Sequence, residues 1–248
     1  MDGATTPETG FDSRAAYRLP LPEELLLLCL DPRSLRVRQP QFFRYALAGA
    51  VLAELQLNRS VRVGGGRVGL ASPAPRGEPG LDAALAWVAE AAAENPRGLP
   101  LQAALRRLAR NADRPYLDAL VSRGLLRVEQ RRVLGLFPRT GYYAESADAH
   151  RRLAAEVDAA VRAVGGARGG GGVPPGAPAV QGASVHDRRL AALAAAGCLS
   201  ARLYPGWDGR EPRIWLQLLV ARDEIADAVR RLVETDQTTS TAAAASSR

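Results

Sequence analysis

Residues 106–152 read RRLARNADRPYLDALVSRGLLRVEQRRVLGLFPRTGYYAESADAHRR, and the periodicity of the chain changes twice within them. Helical patterning covers 101–110 and 114–123, the second run stopped by Gly124. Two short runs at 125–128 and 132–137 then predict a β-hairpin. Helical patterning returns over about 146–164. Helix, hairpin, helix in one stretch points to a mainly helical fold carrying small hairpins.

The same stretch holds most of the excess charge. Eleven Arg stand against Asp113, Asp118, Glu129, Glu145 and Asp148; eleven minus five is +6, and the whole chain carries +7. Leu134, Leu136 and Phe137 form an apolar point between these cations. Guanidinium forks suit phosphate oxygens, and an apolar tip suits the oily layer beneath them, so the pattern predicts contact with an anionic membrane. Arg106, Arg107 and Arg110 can equally form a solvated helix face laced to Asp113.

Outward from this segment, composition sets further bounds. The chain has 248 residues, 47% hydrophobic and 5% aromatic. Few aromatics with abundant Ala, Leu and Arg favour helices over a β-sandwich. All 33 basic residues are Arg, which excludes a Walker phosphate loop and Schiff-base chemistry, since both need Lys. This usage resembles a GC-rich bacterial coding bias. Cys29 and Cys198 both read as buried small residues, with no metal spacing around them. His150 and His186 read as surface residues on polar helical stretches. No Ser/His/Asp pattern appears, and Asp31 and Glu54 read as caps or surface charges, so neither catalysis, metal nor cofactor is expected. The N-terminus lacks a secretory pattern, and no apolar run approaches the ~20 residues of a spanning helix. The expectation is a cytoplasmic chain, at most peripherally attached to a membrane.

The organisation reads as an unstructured lead over 1–18, a helical domain over 19–234 interrupted by a Gly/Pro linker at 165–183, and a low-complexity tail over 235–248. Pro20 and Pro22 open a helix ended by Asp31-Pro32, with Glu23 and Glu24 in its first turn. A second helix spans 41–57. Three glycines at 64–66 sit in a hairpin over roughly 60–71. Helices follow over 81–94 and, beyond the linker, over 187–196, where Asp187 reads as a capping residue. Residues 204–213 read as loop, and one final helix covers 214–233. The predicted fold class is mainly α: a single multi-helix domain with two short β-hairpins.

Five blocks resemble the Golgi phosphoprotein 3 family: LPLPEELLLLCLD at 19–31, ALAGAVLAELQLNRSVRV at 46–63, SPAPRGEPGLDAAL at 72–85, LVSRGLLRVEQRRVLGLFPRTGYY at 120–143 and HDRRLAALAAAGCL at 186–199. They occur in the family's order. The resemblance implies a largely helical protein that binds membranes through phosphatidylinositol 4-phosphate and captures protein cargo. The family's headgroup pocket uses a Trp and an Arg near the second helix and two basic residues before the hairpin. Those positions fall here on Gln39, Ala48, Arg110 and Asp113, with Arg114 beside the last.

The expected function is therefore a peripheral membrane adaptor for a phosphoinositide-like lipid. Headgroup contacts are assigned to Arg110, Arg114, Arg131, Arg132 and Arg139, with Arg44 near the aromatic pair Phe42-Phe43. Leu134, Leu136 and Phe137 form the inserting tip. A weak homo-oligomer through the 125–143 hairpin and a protein cargo are the expected protein partners. The alternative is a winged-helix-like DNA-binding regulator, with 114–123 as recognition helix and the hairpin as wing. Asp118 and the mostly apolar character of that helix speak against nucleic acid.

Overall fold

The computed structural model describes residues 18–133, 137–166 and 183–246. The lead expected over 1–18 lies outside these residues except for Arg18, as do residues 167–182 of the expected linker.

Helix α1 (Leu21–Leu28) carries no polar stripe, because all eight of its residues are buried. It is surrounded by α2 (Arg44–Leu57), α5 (Arg114–Ser122), α6 (Asp148–Gly166) and α7 (Val185–Ala196). Its N-terminus is capped from outside: Leu21 N–H donates to Glu54 Oε2 of α2 at 3.0 Å, which satisfies a donor that no helical carbonyl can reach. α2 packs on α7 and on α10 (Glu224–Ser246) through small residues. A Cβ at Gly49 would stand 2.7 Å from Val229 Cγ2 and 2.9 Å from Leu193 Cδ2, so only glycine admits this approach. α7 opens with a capping box, Ser184 accepting from Asp187 N–H while the Asp187 carboxylate accepts from Ser184 N–H.

Both predicted hairpins form, the second with strands at Leu126–Val133 and Phe137–Ala144 rather than at 125–128 and 132–137, and each belongs to a larger antiparallel sheet. β3 (Val61–Gly64) and β4 (Arg67–Leu70) close through Gly65 and Gly66 at φ 60° and 73°, the left-handed pair that a two-residue hairpin turn demands. β5 (Leu99–Pro100) adds to β4. The second sheet runs β1-β2-β7-β6, from β1 (Leu30–Asp31), β2 (Arg36–Val37), β6 (Leu126–Val133) and β7 (Phe137–Ala144). β2 meets β7 only at Arg36 and Tyr143, while β6 and β7 pair with each other from Leu126↔Ala144 to Val133↔Phe137. The outer half of the hairpin is thus a two-stranded ribbon, about 17 Å long for five residues at strand rise.

Several boundaries differ from the sequence reading. The strands β1, β2 and β5 have two residues each, too short for alternation to show. The first helix ends at Leu28 rather than at Asp31. The predicted 101–110 helix is α4 (Leu101–Leu108) followed by a 3-10 turn at Ala109–Asn111. The final helix is two, α9 (Arg210–Arg222) and α10, broken at Asp223, whose backbone is extended and whose Oδ1 caps Ala226 N–H at 2.9 Å. α9 also begins inside the stretch read as loop, and α8 (Ser200–Leu203) lies immediately before that stretch. α10 continues to Ser246, through residues that composition assigns to an unstructured tail. Its Ala run has high helix propensity, and the hydroxyls of Thr235, Thr238, Thr239 and Thr241 each donate to the carbonyl four residues back at 2.7–2.9 Å.

Candidate functional site

The N-terminal end of α2 gathers cations from three elements. Phe42 has φ 63°, turning the chain sharply into the helix. Arg44 follows, its guanidinium 4.8 Å from the Tyr45 ring centroid and 5.5 Å from that of Phe42, cation–π geometry that presets the fork. Asp236 of α10 reaches the same place. Tyr45 OH donates to its Oδ2 at 2.6 Å, Arg44 lies 3.4 Å from the same oxygen, and Arg106 of α4 lies 3.4 Å from Oδ1. One carboxylate thus holds two guanidiniums that remain 50% and 47% exposed, leaving one unit of positive charge and most of their donors facing water. Arg110, one helical turn beyond Arg106, is exposed and has no ion pair among the described residues. Arg107 turns aside to stack over Trp87 at 5.8 Å.

Two of the positions that the resemblance assigns to the headgroup pocket come together, with different chemistry. Gln39 Nε2 donates to Asp113 Oδ2 at 3.4 Å, so the places of the aromatic and of one base are neighbours occupied by an amide and an acid. Ala48 is fully buried and offers no charge. The alternative lacing of Arg106, Arg107 and Arg110 to Asp113 is not seen: Arg106 holds Asp236, Arg107 stacks on Trp87, and Asp113 bonds Gln39. Arg114 projects at the start of α5, 83% exposed and 3.8 Å from Asp118.

The hairpin base is anchored by Tyr143, whose ring lies between Arg127 at 5.6 Å and Arg36 at 6.0 Å. Arg127 is bound to Glu129 and to Glu145 Oε1 at 3.0 Å, which leaves it little to offer a ligand. The register sets Arg131 opposite Arg139 and Arg132 opposite Pro138. For Arg131, Arg132, Phe137 and Arg139 only the backbone is described, and Leu134 and Leu136 lie outside the described residues. α5 buries Tyr116, Leu117 and Leu120, leaving Arg114, Pro115, Asp118 and Ser122 exposed.

Several other titratable groups tie elements of the fold together. Glu23 of α1 is 1% exposed, 3.3 Å from Arg123, which also binds Glu78 at 2.7 Å. Burial pushes its carboxyl up to about 7 against the pull of Arg123, with Glu78 and Glu24 adding to the rise. Arg18 bridges Glu24, Glu156 and Asp187, beside a cavity of 390 Å³. Partial burial raises Glu156; Asp187 is half-buried too, but its hydrogen bonds with Arg18 and Ser184 hold it below the usual range. Three expectations are corrected here. His186 is bonded to the buried Glu24 at 2.7 Å and is only 15% exposed. His150 Nδ1 lies 3.2 Å from Leu27 O, so each histidine bridges its helix to α1 instead of facing solvent. Cys198 is exposed, whereas Cys29 is buried. Among the described residues no group of His, Cys, Asp and Glu is placed to hold a metal, and no helix is long and apolar enough to cross a membrane.

Sequence reasoning missed Tyr45, Arg106 as a partner of α10, and above all Asp236. Nothing in a Thr/Ala-rich terminal stretch signals a carboxylate that closes a cluster 192 residues from Arg44.

Comparison with known proteins adds two findings. No curated protein matches the chain. The family model of Golgi phosphoprotein 3 (GPP34) matches residues 21–239, and the chain belongs to that family.

Proposed function

We propose that this member of the Golgi phosphoprotein 3 (GPP34) family is a peripheral adaptor that docks reversibly on anionic phospholipid, with its basic α2–α4 end and the β6–β7 ribbon toward the bilayer. The observation that carries the reading is that Arg44 of α2 and Arg106 of α4 share a single carboxylate, Asp236, with the exposed Arg110 of the 3-10 turn four residues beyond Arg106. Each basic residue held near an anionic surface contributes about 1 kcal/mol. Three give weak, salt-sensitive attachment, and apolar burial at the ribbon tip adds a few kcal/mol at about 1.5–3 kcal/mol per large side chain. Neither contribution alone gives a lasting hold, which is how a reversible peripheral protein works.

Phosphatidylinositol 4-phosphate is the headgroup that the family resemblance implies. Here it meets Arg44, Arg106 and Arg110 rather than the family's aromatic and Arg, whose positions hold Gln39 and Ala48. Arg114 and the hairpin cations Arg131, Arg132 and Arg139 widen the field without defining a pocket. The protein acts as an adaptor rather than as an enzyme: Glu156 and Asp187 are engaged by Arg18, and the histidines are spent on α1. Vesicle flotation tests the reading, comparing neutral lipid, phosphatidylserine and phosphatidylinositol 4-phosphate. Recovery with both anionic vesicles and none with neutral lipid supports it, and equal recovery with all three refutes it.

A further inference from the structure

At the opposite end of α2 lies a second cationic feature. The β3–β4 hairpin and the loop before β5 enclose a groove of 810 Å³, within the range of about 300–1,000 Å³ typical of small-ligand sites. Four of its walls are Arg59, Arg62, Arg67 and Arg97, all exposed, and no acidic residue lines it. Among the described residues none of the four forms an ion pair. Their bonds go to backbone carbonyls: Arg67 Nε to Arg97 O at 2.6 Å and Arg62 Nη2 to Leu70 O at 3.4 Å. Arg59 sits at φ 57°, a left-handed conformation that an L side chain occupies at a cost and that glycine would occupy freely. Other guanidiniums of this protein are held by carboxylates, as at Glu23, Asp236 and Asp187. Four unpaired cations around one concavity repel one another, and a compact multivalent anion removes that repulsion.

We infer that this groove binds a soluble ligand bearing two or more contiguous phosphates. Guanidinium forks match phosphate oxygens two at a time, and four of them balance a di- or triphosphate where a lone carboxylate would leave most of the charge unmet. At Gly64 and Gly69 the space a Cβ would occupy is open, so a ligand can approach the backbone closely. Geometry separates the groove from the proposed membrane end. Gln56, which lines the groove, is twelve residues from Arg44 on α2, about 18 Å along the axis at 1.5 Å per residue. α10 spans the same gap in reverse, with Glu224 binding Gly66 N–H and Asp236 binding Arg44. A protein seated on a bilayer by Arg44 therefore holds this groove away from it, facing soluble ligands.

Titration of the full chain with tripolyphosphate by calorimetry, in about 150 mM salt, tests the inference. Saturable binding is expected, weakened roughly tenfold by Arg59→Gln with Arg62→Gln, since each loses charge-assisted bonds, and unchanged by Arg44→Gln with Arg106→Gln. Amide NMR of the unmutated protein should show Gly64 and Gly69 shifting on addition of tripolyphosphate. The Arg59/Arg62 variant should still float with anionic vesicles, if the protein floats at all. Absence of saturable binding overturns the inference. So does loss of binding in the Arg44/Arg106 variant alone, loss of vesicle flotation in the Arg59/Arg62 variant, or poly-glutamate binding as tightly as tripolyphosphate in competition.

Discussion

Glu23 gives the account its sharpest stability test. Its carboxylate is 1% exposed, on a helix whose every residue is buried, and its two oxygens accept no hydrogen bond among the described residues. Burial raises its pKa from 4.5 to about 7, Arg123 at 3.3 Å opposing and Glu78 and Glu24 assisting. An acid whose folded-state value lies above its unfolded value binds its proton more tightly when folded. Its contribution to stability is then full below about pH 4.5 and is lost as pH rises through about 7. A gap of this size, at 1.36 kcal/mol per unit, corresponds to about 3 kcal/mol. Glu23→Gln keeps the shape and removes the ionisation. Urea unfolding of both proteins from pH 4.5 to 8.5 isolates the effect, because other groups titrate alike in each. Relative to the variant, the unmutated protein should lose about 3 kcal/mol across that range. A difference that stays flat with pH, or that moves in favour of the unmutated protein, would refute the reasoning and show that Arg123 holds the carboxylate ionised throughout.

Other substitutions probe other layers. Gly49→Ala places a methyl 2.7 Å from Val229 and 2.9 Å from Leu193 and should lower stability by about 1–3 kcal/mol, read as a reduced thermal midpoint. Ser184→Ala removes half of the capping box on α7 and should cost about 1 kcal/mol by urea unfolding. Leu136→Ser with Phe137→Ser should weaken vesicle binding equally at low and high salt, because apolar burial is not screened, with the melting midpoint unchanged. A sharply lowered midpoint would instead place these residues in protein packing.

Much of this architecture is legible from local chemistry. The glycines at 64–66 announce their turn, Pro20 and Pro22 announce α1, and the change of period after Gly124 announces the β6–β7 hairpin. What resists reading is non-local. β1, β2 and β5 exist because β7 and β4 offer them edges, and two residues carry no period of their own. α10 outlasts its hydrophobic pattern because alanine propensity and threonine back-bonding need no apolar stripe. His150 and His186 look like surface residues on polar stretches until α1 supplies Leu27 O and Glu24 as partners. The site follows the same division. The excess of Arg over 106–152 is visible in composition, yet which guanidiniums are free depends on their partners. Asp236 groups Arg106 with Arg44, Trp87 takes Arg107, and Glu129 with Glu145 takes Arg127. The groove at Arg59, Arg62, Arg67 and Arg97 was equally hidden, since its cations are scattered over 39 residues of chain and meet only when β5 pairs with β4.

The central claim rests on charge gathered at the N-terminal end of α2. Its most direct test is flotation of the Arg44→Gln, Arg106→Gln, Arg110→Gln triple variant on anionic vesicles, beside the unmutated protein, across a salt series. Removing three cations worth about 1 kcal/mol each should weaken binding at about 0.1 M salt by roughly a hundredfold. The difference should shrink toward 1 M, where the Debye length falls to about 3 Å. Flotation of the folded triple variant equal to that of the unmutated protein at low salt would contradict the account.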